Sequence, residues 1–293
     1  MKTVYPSYYN SFYCIADKCK HSCCVGWEIG IDADTCDYYK SVPGDFGERL
    51  RASIDKDSTF ILKEGDRCPF LNERGLCDII CELGEDALCQ ICADHPRFVN
   101  SFSDRDEIGL GLCCEAVCTL VLSQNEPFML ICEGDEVLTK EEKRIIAIRD
   151  GLFEMLTDRS RRLDARIEDM IASVNAKLPE RTNKEWYELY SSLERLDHTW
   201  DTCLDALKCD AVTGDFDIPY EQLLAYFIYR HVSAAKDMAD LRARLLLACL
   251  SVKIIRHICE AGGGELCEVA RLYSAEIEYS EENTEKLIEV LRH

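Results

Sequence analysis

A chain of 293 residues is long enough to bury a large core as one domain or two, and 47% hydrophobic with 30% charged residues fits an ordinary globular protein. No apolar run reaches the roughly 18 to 20 residues that a membrane-spanning helix needs, and the tyrosine-rich opening "MKTVYPSYYNSFYC" lacks the apolar core of a secretory signal, so a cytoplasmic protein without a membrane partner is expected. Lys and Arg number 34 against 55 Asp and Glu, a net charge of −21 that repels nucleic-acid backbones and suits a basic, lysine-bearing partner.

Residues 1–133 are irregular in pattern, rich in glycine and turn signals, with short apolar stretches ("WEIGID", "FILKEG") that read as brief β segments. Fourteen of the 19 cysteines fall at or before Cys132. With no export signal and a chain too large to need disulfide staples, clustered thiols read as metal ligands, because thiolate is the form that binds metal. "FYCIADKCKHSCCVGW" carries Cys14, Cys19, Cys23 and Cys24. "CPFLNERGLC" brings Cys68 and Cys77 together around a turn near Asn72–Gly75, and "LCQIC" sets Cys89 and Cys92 two residues apart, a spacing that converges both sulfurs on one ion. Cys113, Cys114 and Cys118 follow in "GLCCEAVC".

All-thiolate ligation suits an iron–sulfur cluster, [4Fe–4S] by preference, or structural zinc as the alternative. A third reading is buried thiols without metal. The thiols outnumber one four-ligand site, which implies two centres or one centre with buried neighbours. Cys23 and Cys24 project in different directions, so at most one is expected to share a centre with Cys14 and Cys19. The Cys89–Cys92 pair lacks the βαβ frame of a thioredoxin-type dithiol.

A boundary near Gly134 separates this part from a helical domain, 134–293. Thr139 with Glu142 forms a capping box ahead of the stripe Ile145, Ile146, Ile148, Leu152, Phe153 and Leu156. Trp186, Leu189, Tyr190, Leu193, Leu196, Trp200 and Leu204 recur at three- and four-residue steps, predicting a helical face. Pro219 opens the next helix, and a long amphipathic segment from about Asp237 to Glu260 stops at Gly262–Gly264. Two shorter helices finish the chain. Cys203, Cys209, Cys249, Cys259 and Cys267 sit among apolar neighbours on these helices and read as core packing. The fold class is mainly α, with an irregular, cysteine-rich, metal-binding N-terminal part packed on a helical C-terminal part.

The string C-x4-C-x3-CC-x-GW-x-I-x-ID from Cys14 to Asp32 resembles the start of the flagellin lysine-N-methylase family and of related cysteine-cluster proteins that chelate zinc or iron. The resemblance continues through "CPFLNERGLCDI", "LGEDALCQICADHPR", "GLCCEAV", "FIYRH" (227–231) and "LYSAEIEYSEEN" (272–283), nearly the whole chain in order. His95 stands where the family usually has tyrosine and Cys114 where it tends to have proline.

The resemblance implies methyl transfer from S-adenosylmethionine to a lysine of a protein substrate, flagellin or another basic protein, by an enzyme with a cysteine-ligated iron–sulfur cluster. Its metal cysteines fall on Cys14, Cys19, Cys23, Cys24, Cys68, Cys77, Cys89, Cys92 and Cys113. Methylating lysine requires a neutral amine aligned behind the methyl group. The matching motifs offer Tyr229, Glu276 and Glu278 for that chemistry, and Arg230, His231, Tyr273 and Asn283 for holding S-adenosylmethionine. The residues themselves carry no nucleotide loop: "AGGGELC" follows a helix and reads as its stop. A non-catalytic metal-binding or redox-sensing interaction protein is the competing reading.

Overall fold

In the computed structural model, which describes residues 1–210 and 218–292, the chain divides into two units: residues 13–98, and residues 1–12 with the described residues from 99 onward. Among the described residues there are thirteen α-helices and one four-stranded sheet, so the chain is mainly α, as its periodicity predicts.

Residues 13–98 hold four short helices, α1 (Ala33–Ser41), α2 (Gly44–Ala52), α3 (Asp78–Leu83) and α4 (Gln90–Asp94), joined by loops that exchange single β bridges. Their core is aromatic. Phe60 packs on Tyr39 and Phe70 at ring-centroid distances of 6.4 and 5.1 Å, and the Arg49 guanidinium lies 5.0 Å over Phe70 while pairing with Asp78 at 2.7 Å. Asp32 caps α1 by accepting from Thr35 N at 2.9 Å and also accepts from Gln90 N at 2.8 Å, so one carboxylate fixes the starts of both α1 and α4. Trp27 is only half-buried, and Tyr39, Phe60 and Phe70 anchor the core of this unit.

The second unit begins with a sheet of order β2-β3-β1-β4, formed by β1 (Lys2–Pro6), β2 (Arg97–Phe102), β3 (Arg105–Leu110) and β4 (Leu130–Glu133). The N-terminal strand β1 runs parallel to β3 and antiparallel to β4. That pairing joins residues 1–12 to residues 99–133, and the units divide at 12/13 and 98/99, whereas the sequence texture changes near Gly134.

Nine helices follow: α5 (Glu115–Leu122), α6 (Lys140–Leu156), α7 (Leu163–Ser173), α8 (Asn183–Ser191), α9 (Thr199–Leu204), α10 (Ile218–Phe227), α11 (Met238–Glu260), α12 (Leu266–Tyr273) and α13 (Glu281–Leu291). α11 is buried around most of its circumference because α7, α10, α12 and α13 pack against it. The Thr139–Glu142 capping box is present, and Asp237 caps α11. The expected continuous face from Trp186 to Leu204 is interrupted after Ser191. Asn283 and Glu276 accept the backbone N–H groups of Glu194, Leu196 and Asp197, which an unbroken helix would use internally.

A buried charge cluster joins sheet to helices. The fully buried Glu107 of β3 pairs with Arg105 at 2.5 Å and with Arg149 of α6, and Arg149 donates to Ser233 Oγ at 2.8 Å. Removing one partner strands the others in the interior. Glu107→Ala is expected to lower the unfolding free energy by about 3–5 kcal/mol, read from urea denaturation followed by circular dichroism.

Candidate functional site

The motifs 227–231 and 272–283 fold onto one another in the second unit. α10 runs into a π-helical turn, Ile228–Val232, and α12 into another, Ser274–Glu278. Single π turns are rare and recur at functional sites because they re-aim side chains out of α register. Here they meet around the Glu278 side chain, which is fully excluded from solvent.

Glu278 is held from several directions. Arg230 Nε stands 3.2 Å from Oε1, Tyr226 Oη donates to Oε2 at 2.8 Å, and Ser274 Oγ also donates to Oε2. Tyr226 Oη in turn accepts from Leu112 N at 3.2 Å and from Arg230 Nη1 at 3.0 Å. His231 Nε2 lies 3.0 Å from Glu278 Oε1, but off the angle of a hydrogen bond. The His231 ring is stacked on Phe227 at 6.0 Å. Tyr279 lies 4.9 Å under the Arg230 guanidinium, and its hydroxyl hydrogen-bonds with the Cys113 thiol.

These contacts set the charges. Burial pushes the Glu278 carboxyl up, but Arg230, His231 and Ser274 outweigh it, leaving it below its ordinary value and ionised. Burial pushes His231 down; Glu278 opposes this, but Arg230 and Arg244 reinforce burial and the imidazole is held neutral. The result is a water-excluded carboxylate, fixed by an arginine, with a neutral imidazole beside it. Such a pair can take up or hand on one proton.

The other expected residues fall elsewhere in the same unit. Tyr229 Oη bonds the carbonyls of Val4 and Ile108 at 2.9 and 3.1 Å, tying a helix to β1 and β3. Tyr273 Oη joins Tyr190 Oη and Ser251 Oγ at 3.1 and 2.8 Å in a buried hydroxyl chain. Glu276 pairs with Arg195 at 3.1 Å and accepts from the backbone of Leu196 and Asp197; Asn283 bonds Glu194 on both its N–H and its carbonyl. Both clamp the 194–197 loop. The structure thus brings together Arg230, His231 and Glu278, and adds Tyr226, Ser274 and Tyr279, which sequence reasoning missed. The signal was present: Tyr226–Arg230 and Ser274–Glu278 each stand four apart on one helical face.

The thiols are arranged just as unevenly. In unit 13–98, Cys68 and Cys89 are buried in the aromatic core, with Cys24, Cys77 and Cys92 packed against it. Cys68 N donates to Cys24 O at 2.8 Å, which draws the opening cluster onto the "CPFL" segment. Asn72 Oδ1 accepts from Arg74 N and Leu76 N at 2.9 and 3.0 Å, building the expected turn between Cys68 and Cys77.

These five thiols affect one another's titration. A hydrogen bond from Cys23 brings Cys24 down to about 7, and burial, with Cys24 and Cys77 nearby, raises Cys68 to about 11. Cys92 donates to Cys89, holding Cys89 below and Cys92 above the ordinary thiol value. Cys14 and Cys23 are exposed; Cys19 donates to His21 O at 3.3 Å. Cys113 belongs to the other unit, beside Tyr279, with its thiol raised to about 12 by burial. Among the described residues no three His, Cys, Asp or Glu side chains stand as a formed metal shell. The donor chemistry, five neighbouring thiols, is that of a thiophilic metal or an iron–sulfur cluster.

A groove of about 290 Å³ opens elsewhere in the helical unit, between Trp186 of α8 and Lys253 and His257 of α11. None of its lining residues belongs to the Glu278 cluster.

Fold and site together describe a mainly helical, thiol-rich protein with a buried carboxylate–arginine–histidine cluster. The flagellar biosynthetic protein FliU of Salmonella muenchen is 25% identical to it over 138 residues, 43% of this chain and 79% of that protein. The lysine-N-methylases of Salmonella typhimurium and Salmonella choleraesuis are likewise 25% identical over 138 residues, which is 33% of their own length. The chain is distantly related to these proteins and spans about a third of the lysine-N-methylases it matches. No family model and no solved structure matches it.

A Cβ at Gly111 would stand 2.1 Å from Tyr279 Oη and 3.1 Å from Arg230 Nη1. Gly111→Ala is expected to cost about 1–3 kcal/mol by overpacking, and most of that cost should vanish in a Tyr279→Phe background, a coupling read by a double-mutant cycle of urea midpoints. Because the His231 pKa is lowered on folding, its contribution is unfavourable at low pH and disappears as pH rises past the ordinary value of 6.5. Stability should therefore fall on going from pH 7 to pH 5, and His231→Gln should lose less over that interval.

Proposed function

We propose that the protein is an S-adenosylmethionine-dependent lysine methyltransferase acting on a protein substrate, with the thiols of residues 13–98 holding an iron–sulfur cluster. The observation that carries this reading is the distant relationship to proteins named lysine-N-methylase, joined to the convergence of the two C-terminal motifs on Glu278. S-adenosylmethionine would supply the methyl group as an electrophile. The chain must supply orientation, exclusion of water and a destination for the lysine proton.

Glu278 and His231 meet the last requirement. A lysine ammonium brought to this carboxylate would be attracted to it, and His231, whose neutral imidazole stands with Nε2 3.0 Å from Oε1, adds a second group that can accept the proton released. Arg230, ion-paired with Glu278 and lying over Tyr279, is the cation available to a substrate or cofactor carboxylate. A net charge of −21 favours approach of a basic, lysine-bearing protein. Attack of an amine on a sulfonium methyl transfers no electrons, so a cluster among the thiols would serve structure and electrostatics. Cys24, Cys68, Cys77, Cys89 and Cys92 are the residues to hold it, with Cys14 and Cys23 exposed and Cys19 partly so.

Two outcomes test this reading. Anaerobically purified protein should carry iron and absorb in the visible range. Cys68→Ser and Cys89→Ser should lose that metal, while replacing the exposed Cys81 by Ser should retain it; stoichiometric zinc in a colourless protein would move the assignment to zinc. Calorimetry of the metallated protein should show S-adenosylmethionine binding, weakened about tenfold by Arg230→Lys. Absence of any binding would overturn the methyltransferase reading.

A further inference from the structure

We propose that Cys267, paired with Cys118, is a peroxide-modifiable dithiol site that closes to a disulfide between α12 and α5. The sequence pattern places Cys267 among the core-packing thiols, but the structure sets it apart from them. The Cys118 side chain, fully buried on α5, points at α12, with its Sγ 3.2 Å from the carbonyl oxygen of Cys267 and in hydrogen-bond contact with the Cys267 thiol. Cys267 is partly exposed and lies second in α12, where the free N–H groups and dipole of a helix N-terminus favour a thiolate. Thr119 Oγ1 stands 3.7 Å from its sulfur.

The electrostatics agree with the geometry. The hydrogen bond from Cys118, with a further contribution from Thr119, brings Cys267 down to about 7 against the opposing effects of burial and of Glu268 and Glu115. Cys118 is held protonated, chiefly by that same hydrogen bond and by burial, with Arg271 and Glu268 also facing it. An accessible thiolate backed by a buried thiol is the arrangement of an attacking and a resolving cysteine.

The chemistry balances with a peroxide as the named oxidant. The Cys267 thiolate attacks one peroxide oxygen, the O–O bond breaks, and the leaving hydroxide takes up the proton that the thiol had released to solvent and departs as water, giving a sulfenic acid. That oxidation removes the thiolate to which Cys118 donates, and so removes the chief cause holding its proton. The Cys118 sulfur then attacks the Cys267 sulfur, the S–O bond breaks, and the hydroxyl leaves with the Cys118 proton as a second water. Two thiols and one peroxide become one disulfide and two waters; the sulfur pair loses two electrons and the peroxide gains them. Closing the pair brings the two hydrogen-bonded sulfurs to a bond of about 2.05 Å.

The test treats the full chain with one equivalent of hydrogen peroxide and maps peptides without reduction. The expected product is a peptide pair joining Cys118 to Cys267, formed ahead of oxidation at the exposed Cys132 and Cys209. In Cys118→Ala the Cys267 sulfenic acid should persist and be trapped by dimedone. Should that variant fail to fold, alkylation of the unmodified protein by iodoacetamide at pH 7 keeps the question open to decision. Cys267, as a thiolate at a helix N-terminus, should react about threefold faster than Cys132 or Cys209. Oxidation spread evenly over the exposed cysteines, or alkylation of Cys267 no faster than theirs, would overturn the proposal.

Discussion

A buried carboxylate must be paired or it neutralises, and the helical unit buries five of them among its described residues: Glu107, Glu221, Asp240, Glu276 and Glu278. Each meets at least one arginine: Glu107 with Arg105 and Arg149, Glu221 with Arg159 and Arg166, Asp240 with Arg244 and Arg292, Glu276 with Arg195, and Glu278 with Arg230. An acidic chain thus commits eight of its arginines to these carboxylates, where they fix how helices, sheet and loops meet. Four of these pairs are explained by what they join. Glu107 links sheet to α6, Glu221 holds α7 and the turn before it, Asp240 ties α11 to the C-terminus of α13, and Glu276 pins the 194–197 loop.

Glu278 is different in kind. Its partners come from two π-helical turns and from the Leu112 backbone through Tyr226, and its neighbour His231 adds a second titratable group within 3.0 Å. A purely structural ion pair has no need of a neutral imidazole beside the carboxylate. Arg230 and Tyr279 are only partly buried and form the solvent-facing flank of the cluster. A titratable pair and a partly exposed flank therefore coincide at one place, as the proposed methyl transfer to a lysine side chain would require.

Much of the architecture was legible in the sequence because it is set locally. The Thr139–Glu142 box, the glycine stop after Glu260 and the turn at Asn72–Gly75 all rest on residues within a few positions of one another. The interruption after Ser191 was not legible, since it depends on Asn283 and Glu276 some 80 to 90 residues away. Nor was the pairing of β1 with β3, which joins chain segments about a hundred residues apart. At the site, Arg230, His231 and Glu278 could be singled out from their motifs. Where the Tyr229 and Tyr273 hydroxyls bond could not be read there, because their partners, Val4, Ile108, Tyr190 and Ser251, lie far from them in the chain. Likewise the cysteine spacings revealed clustering, while the sorting of Cys24 inward and Cys23 outward required the fold.

The central claim is that this chain moves a methyl group to lysine at the Glu278 cluster, and the most direct measurement is transfer of labelled methyl from S-adenosylmethionine to a lysine-rich protein by anaerobically purified, metallated enzyme. The account predicts label on lysine Nζ, and a folded Glu278→Gln variant that retains its metal but transfers at least about tenfold more slowly. Undiminished transfer by that variant, or no transfer by the parent protein to any lysine-bearing substrate including flagellin, would contradict it.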